Sequence, residues 1–233
     1  MFLLKLIQAP NITNPTVEYI SFKKLFLIYF QFLVTIIIIH VTTHLLLSLI
    51  SLFTIYNVND FKITANNKIQ NTIGLLKFWF LAGILAPVYE ELIFRLPLDK
   101  RRISLIISLL LLTYFTISSN SILHFNYYHI VVLVTMILSG CVFLSIKKRF
   151  LEKIEWNSFA LFISSILFGC FHIGNFFPYN YLKVILLPLL LLPYFFSGFV
   201  LGSIRIKYGL LNSIFLHLII NNISLFMKFI FSI

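Results

Sequence analysis

Apolar residues fill most of the chain in long continuous blocks, separated by short polar stretches. Helices that span a bilayer need about 20 such residues. Seven blocks approach this length, at approximately 25–53, 73–97, 103–118, 127–146, 157–174, 183–204 and 210–231. A membrane β-barrel would instead alternate apolar and polar positions. The pattern therefore predicts an all-α, polytopic bundle of about seven transmembrane helices, with a turn at Ser118, Ser119 and Asn120 after the third block.

Composition agrees with this class and excludes a soluble domain. Hydrophobic residues make up 60% of the chain and charged residues only 11%, with a mean hydropathy of +1.01. The formal charge of +11 does not indicate nucleic-acid binding, because the basic residues form short clusters between apolar blocks. The 27 phenylalanines lie mostly inside those blocks and are interpreted as lipid-facing. The bilayer is thus an expected partner and nucleic acid is not.

Basic residues in the short loops predict the orientation, since they concentrate on the cytoplasmic side of a membrane. With a cytoplasmic amino terminus, eleven basic residues fall on the inner side: Lys23, Lys24, Lys100, Arg101, Arg102, Lys147, Lys148, Arg149, Lys153, Arg205 and Lys207. The outer loops receive only Lys62, Lys68 and Lys183. We therefore expect a cytoplasmic segment 1–24, an integral membrane domain 25–233, an external carboxyl terminus and residence in the plasma membrane.

Three short stretches place polar or ionisable side chains inside the apolar blocks 73–97, 157–174 and 210–231. They are Glu90–Arg95, Phe168–His172 and His217–Asn221. A charge at such depth costs roughly 2.5–3.5 kcal/mol on insertion scales, so residues of this kind usually serve a function. These stretches are the candidate chemical site.

Helical spacing predicts how the first stretch is used. Positions four apart share a helix face, so Glu91 and Arg95 form an ion pair while Glu90 faces a different neighbour. A carboxylate held in a dry site is a suitable general base. A purely structural alternative, in which Glu90, Glu91 and Arg95 only join helices, remains open at this point.

The same spacing recurs in the other two stretches. Phe168 and His172 share one face, and His217 and Asn221 share another. Two donors side by side can stabilise an oxyanion, typically by a few kcal/mol per donor. Packing by His172 and interhelical hydrogen bonds from His217 and Asn221 are the structural alternatives. The remaining histidines, together with the neighbouring asparagine, are interpreted as interfacial or structural: His40, His44, His124, His129 and Asn222.

Together the motifs EExxFR, FxxxH and HxxxN resemble the CPBP family of intramembrane endopeptidases, which includes CAAX prenyl proteases and bacteriocin-processing or Abi-type immunity enzymes. The resemblance covers the second, fifth, sixth and seventh blocks. It implies cleavage of a membrane-associated or lipidated peptide or protein. Glu90, assisted by His172, would activate water, while His217 and Asn221 would hold the oxyanion. Glu91, Arg95 and Phe168 would support the site.

Two features depart from the family pattern. Here 82 positions separate Glu90 from His172, although the family usually carries these residues on consecutive helices. The third and fourth blocks fill the interval, and because a pair of helices returns the chain to the same side, later helices keep their orientation. Pro97 follows soon after Arg95 and predicts an early end or a kink of the second block.

Alternative functions share parts of this pattern. Glu90, His172 and His217 are also the ligand types of catalytic zinc; HExxH is absent from the sequence, and we favour a site without a cofactor, with zinc as the alternative. An ion-coupled transporter would also bury such charges, but it predicts broken helices and repeats, for which Pro188–Pro193 is the one candidate break. A non-catalytic immunity or scaffold protein would retain the residues without turnover.

Overall fold

The computed structural model describes residues 21–52, 73–99, 101–120, 156–176 and 181–231. Seven α-helices lie in these ranges: α1 Phe22–Leu52, α2 Leu75–Phe80, α3 Ala86–Phe94, α4 Arg102–Asn120, α5 Trp156–Phe171, α6 Tyr181–Tyr208 and α7 Leu210–Phe231. A π-helical turn, Leu81–Leu85, joins α2 to α3, and 3-10 turns occupy Leu96–Asp99 and Ile173–Phe176. No strand occurs within these ranges, which confirms the all-α class.

Four of the described helical stretches are long and apolar enough to cross a membrane: Phe26–Leu52, Ser158–Phe176, Tyr181–Tyr208 and Leu210–Met227. The protein is therefore an integral membrane protein. The predicted count of about seven spans is not confirmed. The second block is divided by the π turn, the apolar part of α4 is the shorter stretch Ile103–Tyr114, and the fourth block and most of segment 1–24 lie outside the described residues.

Proline chemistry explains the shape of the segment that carries the two glutamates. Pro87 has no N–H, and it lies in the first turn of α3, where such a donor is least missed. The preceding turn widens, so that the Ala86 N–H bonds to the Leu81 carbonyl five residues back. At the other end α3 stops at Phe94 and Pro97 lies in a 3-10 turn, as the position of that proline predicted. We call Leu75–Phe94 the α2–α3 segment.

Helix α6 is central to the bundle and packs against α1, α5 and α7. Its buried residues Val200, Leu201 and Ile204 form a core with Phe32 of α1 and Leu216 of α7. The helix continues through both Pro188 and Pro193, so the candidate break is not a break. Helix α6 therefore connects α1, α5 and α7.

Three details of the predicted boundaries were wrong. Lys183 does not lie in an outer loop; it lies in the first turns of α6, where it is buried and donates from Nζ to the Phe176 carbonyl at 3.3 Å. Arg205 and Lys207 belong to the last turn of α6, and α4 extends through Asn120 where a turn was expected. For Lys183 the reason is that a polar side chain with a partner does not end a helix.

Candidate active site

Contacts between α7 and the α2–α3 segment bring the first and third motifs together. Ala82 meets Asn221, whereas Glu91, later in its helix, meets the earlier residue Ser213. Residue numbers thus rise on one helix as they fall on the other. The two helices are antiparallel, and their polar side chains meet along a shared seam inside the bundle.

Glu91 lies at the centre of this seam and is completely buried. Its Oε1 accepts a hydrogen bond from His217 Nδ1 at 3.0 Å, and its Oε2 contacts the Ser213 hydroxyl. The same hydroxyl reaches the Leu201 carbonyl at 2.9 Å. Arg95 Nε lies 3.7 Å from Glu91 Oε1, which confirms the ion pair predicted from the four-residue spacing. Glu91 therefore links α3 to α7 in addition to pairing with Arg95.

Arg95 connects the same carboxylate to α5. It is also fully buried, and its Nη1 donates to Ser164 Oγ at 2.7 Å, while that hydroxyl donates to the Phe94 carbonyl at 2.7 Å. The guanidinium carbon lies 4.7 Å from the Phe168 ring centre, a cation–π contact. Phe168 thus supports the charged pair from α5 and also touches the His217 ring edge.

Glu90 faces the second and third motifs, as its separate helix face predicted. Its Oε2 lies 3.9 Å from His172 Nε2 and 3.6 Å from His217 Nε2. These distances are too long for direct hydrogen bonds. Among the described residues Oε2 is buried without a hydrogen-bond partner, so this carboxylate oxygen keeps its capacity to accept a proton.

The His172 ring is held by the backbone carbonyl of Phe168 and by the ring of Tyr194. His172 lies just after α5 ends, and its Nδ1 is 2.8 Å from the Phe168 carbonyl. A carbonyl only accepts, so Nδ1 carries a proton, and in the neutral imidazole Nε2 presents a lone pair toward Glu90. Tyr194 of α6 stacks on the ring with centres 4.2 Å apart. The ring orientation is therefore set before any substrate binds.

His217 has a different environment because two carboxylates flank it. Nδ1 is hydrogen-bonded to Glu91 and Nε2 points toward Glu90. With Nδ1 donating, the neutral imidazole presents Nε2 as an acceptor, and the protonated imidazole presents it as a donor. The side chain is buried, so its partners in the bundle control its orientation.

Asn221 lies farther along the seam and forms a hydrogen bond with the backbone of the π turn. Its Nδ2 donates to the Ala82 carbonyl at 3.1 Å, which leaves its second N–H for another acceptor. Asn222, interpreted from sequence as structural, donates to the Gly83 carbonyl at 2.8 Å. The structure thus brings Glu90, His172 and His217 together directly, whereas Asn221 contacts the π turn at Ala82.

Three site residues were missed by sequence reasoning. Ser213 lies four residues before His217 and so extends the spaced series on α7, a signal that was readable in the sequence. Ser164 and Tyr194 carried no signal, because their roles depend on how α5 and α6 pack. Serine and tyrosine inside apolar helices are too common to single out by position.

Comparison with known proteins gives a match to a protein family. The sequence model of the type II CAAX prenyl endopeptidase Rce1-like family matches residues 72–223, more than half of the 233-residue chain. The chain belongs to this family. No curated protein and no solved structure matches it. Rce1-like membership makes the chain a CAAX-type membrane protease, which acts on a membrane-associated protein substrate in a lipid environment.

The Rce1-like match begins just before the α2–α3 segment and ends at Ile223, so it includes all three motifs and leaves α1 outside. The resemblance inferred from those motifs is confirmed at the level of the family. The matched range also includes the interval between Glu90 and His172, so the third and fourth blocks lie inside it.

The donor types of Glu90, His172 and His217 are those of catalytic zinc sites. In the described part of the chain, no group of three or more His, Cys, Asp or Glu side chains that could hold a metal ion is identified.

Proposed function

We propose that the protein is an intramembrane endopeptidase that hydrolyses a peptide bond of a lipidated or otherwise membrane-associated peptide or protein, without a metal cofactor, in the plasma membrane. One observation carries the proposal. In a member of an endopeptidase family, the buried Oε2 atom of Glu90 faces the Nε2 atoms of His172 and His217 at 3.9 and 3.6 Å. A hydrolase needs such a base beside groups that orient water and stabilise charge.

Glu90 is the proposed general base. A water molecule donates one proton toward Glu90 Oε2 and the other toward the Nε2 lone pair of His172. The Phe168 carbonyl keeps that lone pair exposed by holding the proton on Nδ1. As the water oxygen bonds to the carbonyl carbon, its proton moves to Glu90.

His217 and Asn221 are the proposed oxyanion donors. With Glu91 accepting from Nδ1, protonated His217 directs its Nε2 proton to the oxygen that becomes negative. Asn221 offers the N–H that Ala82 does not use. Each such donor is worth about 3–4 kcal/mol of transition-state stabilisation in a dry site. Glu90 then returns its proton to the amine nitrogen as the carbon–nitrogen bond breaks.

The rival ion-coupled carrier receives less support. Carriers of this kind hold their substrates at interrupted helices near the middle of the bilayer. Helix α6 is uninterrupted at its two prolines, and the family is one of proteases. A non-catalytic scaffold or immunity protein would share the geometry, so turnover separates it from the enzyme.

Glu90→Gln tests the base directly. The probe is a fluorogenic peptide with a farnesylated cysteine in a CAAX tail, cleaved by purified protein in vesicles. We expect at least a hundredfold loss of kcat with unchanged membrane insertion, because the amide cannot accept the water proton. Asp99→Asn is the matched control, since Asp99 pairs with Arg205 and Ser104 away from the histidines. Undiminished cleavage by Glu90→Gln contradicts the assignment.

The same assay tests whether the protein needs a metal ion for turnover. Purified protein should contain substoichiometric zinc and keep its turnover after dialysis against a chelator. Stoichiometric zinc, with activity lost on chelation and restored by zinc, would replace the metal-free mechanism.

A further inference from the structure

The π turn ahead of the two glutamates leaves backbone carbonyls without their regular partners. In an uninterrupted α-helix the Ala82 and Gly83 carbonyls accept from the N–H groups of residues 86 and 87. Here the Ala86 N–H bonds to Leu81 instead, and Pro87 has no N–H. An unsatisfied carbonyl inside a bilayer costs several kcal/mol, so this part of the helix requires donors from elsewhere.

Two adjacent asparagines of α7 supply those donors. Asn221 Nδ2 donates to the Ala82 carbonyl at 3.1 Å and Asn222 Nδ2 donates to the Gly83 carbonyl at 2.8 Å. The Asn222 amide is oriented by Trp79, whose Nε1 donates to Oδ1 at 2.6 Å. A Cβ on Gly83 would lie 2.8 Å from Trp79 Cδ1 and 2.9 Å from that Oδ1, so a larger residue would displace both side chains.

These bonds form a second attachment between α7 and the α2–α3 segment. The first is Glu91 with its partners Ser213 and His217. Gly83 precedes Glu91 by eight residues, which is about 12 Å along a helix. One attachment would leave the segment free to tilt and rotate about it, whereas two attachments fix its direction and its rotation. Glu90, next to Glu91, then has one defined direction toward the histidines.

We propose that Asn222 is a positioning residue of the protease. It acts through the π turn made by Pro87 and holds the α2–α3 segment in the rotation at which Glu90 faces His172 and His217. The inference rests on the proposed function. A catalytic group displaced by about 1 Å can lose on the order of a hundredfold in rate, so this attachment affects turnover although it touches no substrate.

Asn222→Ala tests the proposal, with Asn212→Ala as its matched control on the same helix. Asn212 also donates its amide to a backbone carbonyl, that of Tyr208 at 2.6 Å, which lies four residues back and not in the α2–α3 segment. With the farnesylated CAAX peptide in vesicles, Asn222→Ala should lower kcat by about ten- to hundredfold and leave KM within about twofold. Asn212→Ala should keep both constants within about twofold.

Two further variants separate positioning from simple stability. Asn222→Ser can still bond to the Leu218 carbonyl four residues back but cannot reach Gly83, so it tests the interhelical bond in a protein that still folds. It should show the same loss of kcat. Adding Pro87→Ala to Asn222→Ala restores an N–H at residue 87, which should raise thermal stability without restoring kcat.

The outcomes are distinct. If wild-type protein cleaves and Glu90→Gln does not, yet Asn222→Ala and Asn222→Ser keep full kcat, the positioning role is wrong and the proposed function stands. Recovery of kcat with Pro87→Ala would likewise overturn it, because the asparagine would then only satisfy a carbonyl. Cleavage by Glu90→Gln at the wild-type rate would instead remove the proposed function itself.

Discussion

The two adjacent glutamates both approach His217 but differ in their hydrogen bonding. Glu91 is completely buried with hydrogen-bonding partners on both carboxylate oxygens, whereas Glu90 keeps a buried oxygen without a partner. A carboxylate that is fully engaged is suited to holding its neighbours in place. A carboxylate with an unused acceptor beside two imidazoles is suited to moving a proton. The charges and hydrogen-bonding partners around each glutamate therefore suit the two residues to different roles.

Arg95→Met tests whether the buried ion pair stabilises the bundle. The change leaves Glu91 in the interior without its cation. Removing one partner of a buried pair typically costs about 3–5 kcal/mol, so we expect a clear fall in thermal stability in detergent. Adding Glu91→Gln should recover part of the loss, because no uncompensated charge then remains. An Arg95→Met protein as stable as the wild type would contradict this role.

At the scale of elements, close approach of α5 to α6 sets the position of His172. An added Cβ at Gly198 would lie 3.1 Å from both the Cα and the carbonyl oxygen of Ser165 on α5. Backbone atoms cannot move aside as a flexible side chain can, so the glycine allows this contact. Because His172 directly follows the end of α5, the spacing of these helices also affects its distance from Glu90.

Gly198→Ala should therefore push α5 from α6, destabilise the protein by about 1–3 kcal/mol and lower kcat. Gly174→Ala is the control, since an added Cβ there meets no atom within 4 Å. Thermal unfolding and peptide cleavage measure the two effects. If Gly198→Ala behaved like Gly174→Ala, the close contact would not control the site.

For the whole molecule, the surface and the helix directions agree with a bilayer environment. Large apolar side chains are exposed along α1, among them Ile38, Val41 and Leu45. Such a patch is unfavourable in water and ordinary in lipid. Helix α7 also packs antiparallel to the α2–α3 segment. This direction agrees with the first and third motifs lying at the same depth in the membrane.

The distribution of basic residues predicts which side of the membrane each end occupies. A reporter fused to the amino terminus should be cytoplasmic and one fused to the carboxyl terminus external, because eleven basic residues are predicted on the inner side and only Lys62 and Lys68 in the outer loops. Accessibility of single cysteines to an impermeant reagent gives an independent measurement. Both termini on the same side would contradict the orientation and the odd number of spans.

The sequence by itself determined the helical class, the membrane environment, the family and the pairing of Glu91 with Arg95. These follow from composition and from spacing within a few residues, where helix geometry alone relates the side chains. The last block was likewise predicted at 210–231, close to the observed α7, because a continuous apolar run has clear ends.

Only the tertiary structure decided which side chains meet across helices. Glu91 binds His217 as well as Arg95, and Tyr194 stacks on His172. Asn222 binds the π turn, and Lys183 is buried in α6. Such contacts join residues far apart in the chain, so they depend on how each helix is rotated and shifted against its neighbours. Local periodicity contains no information on that rotation, because any rotation preserves it.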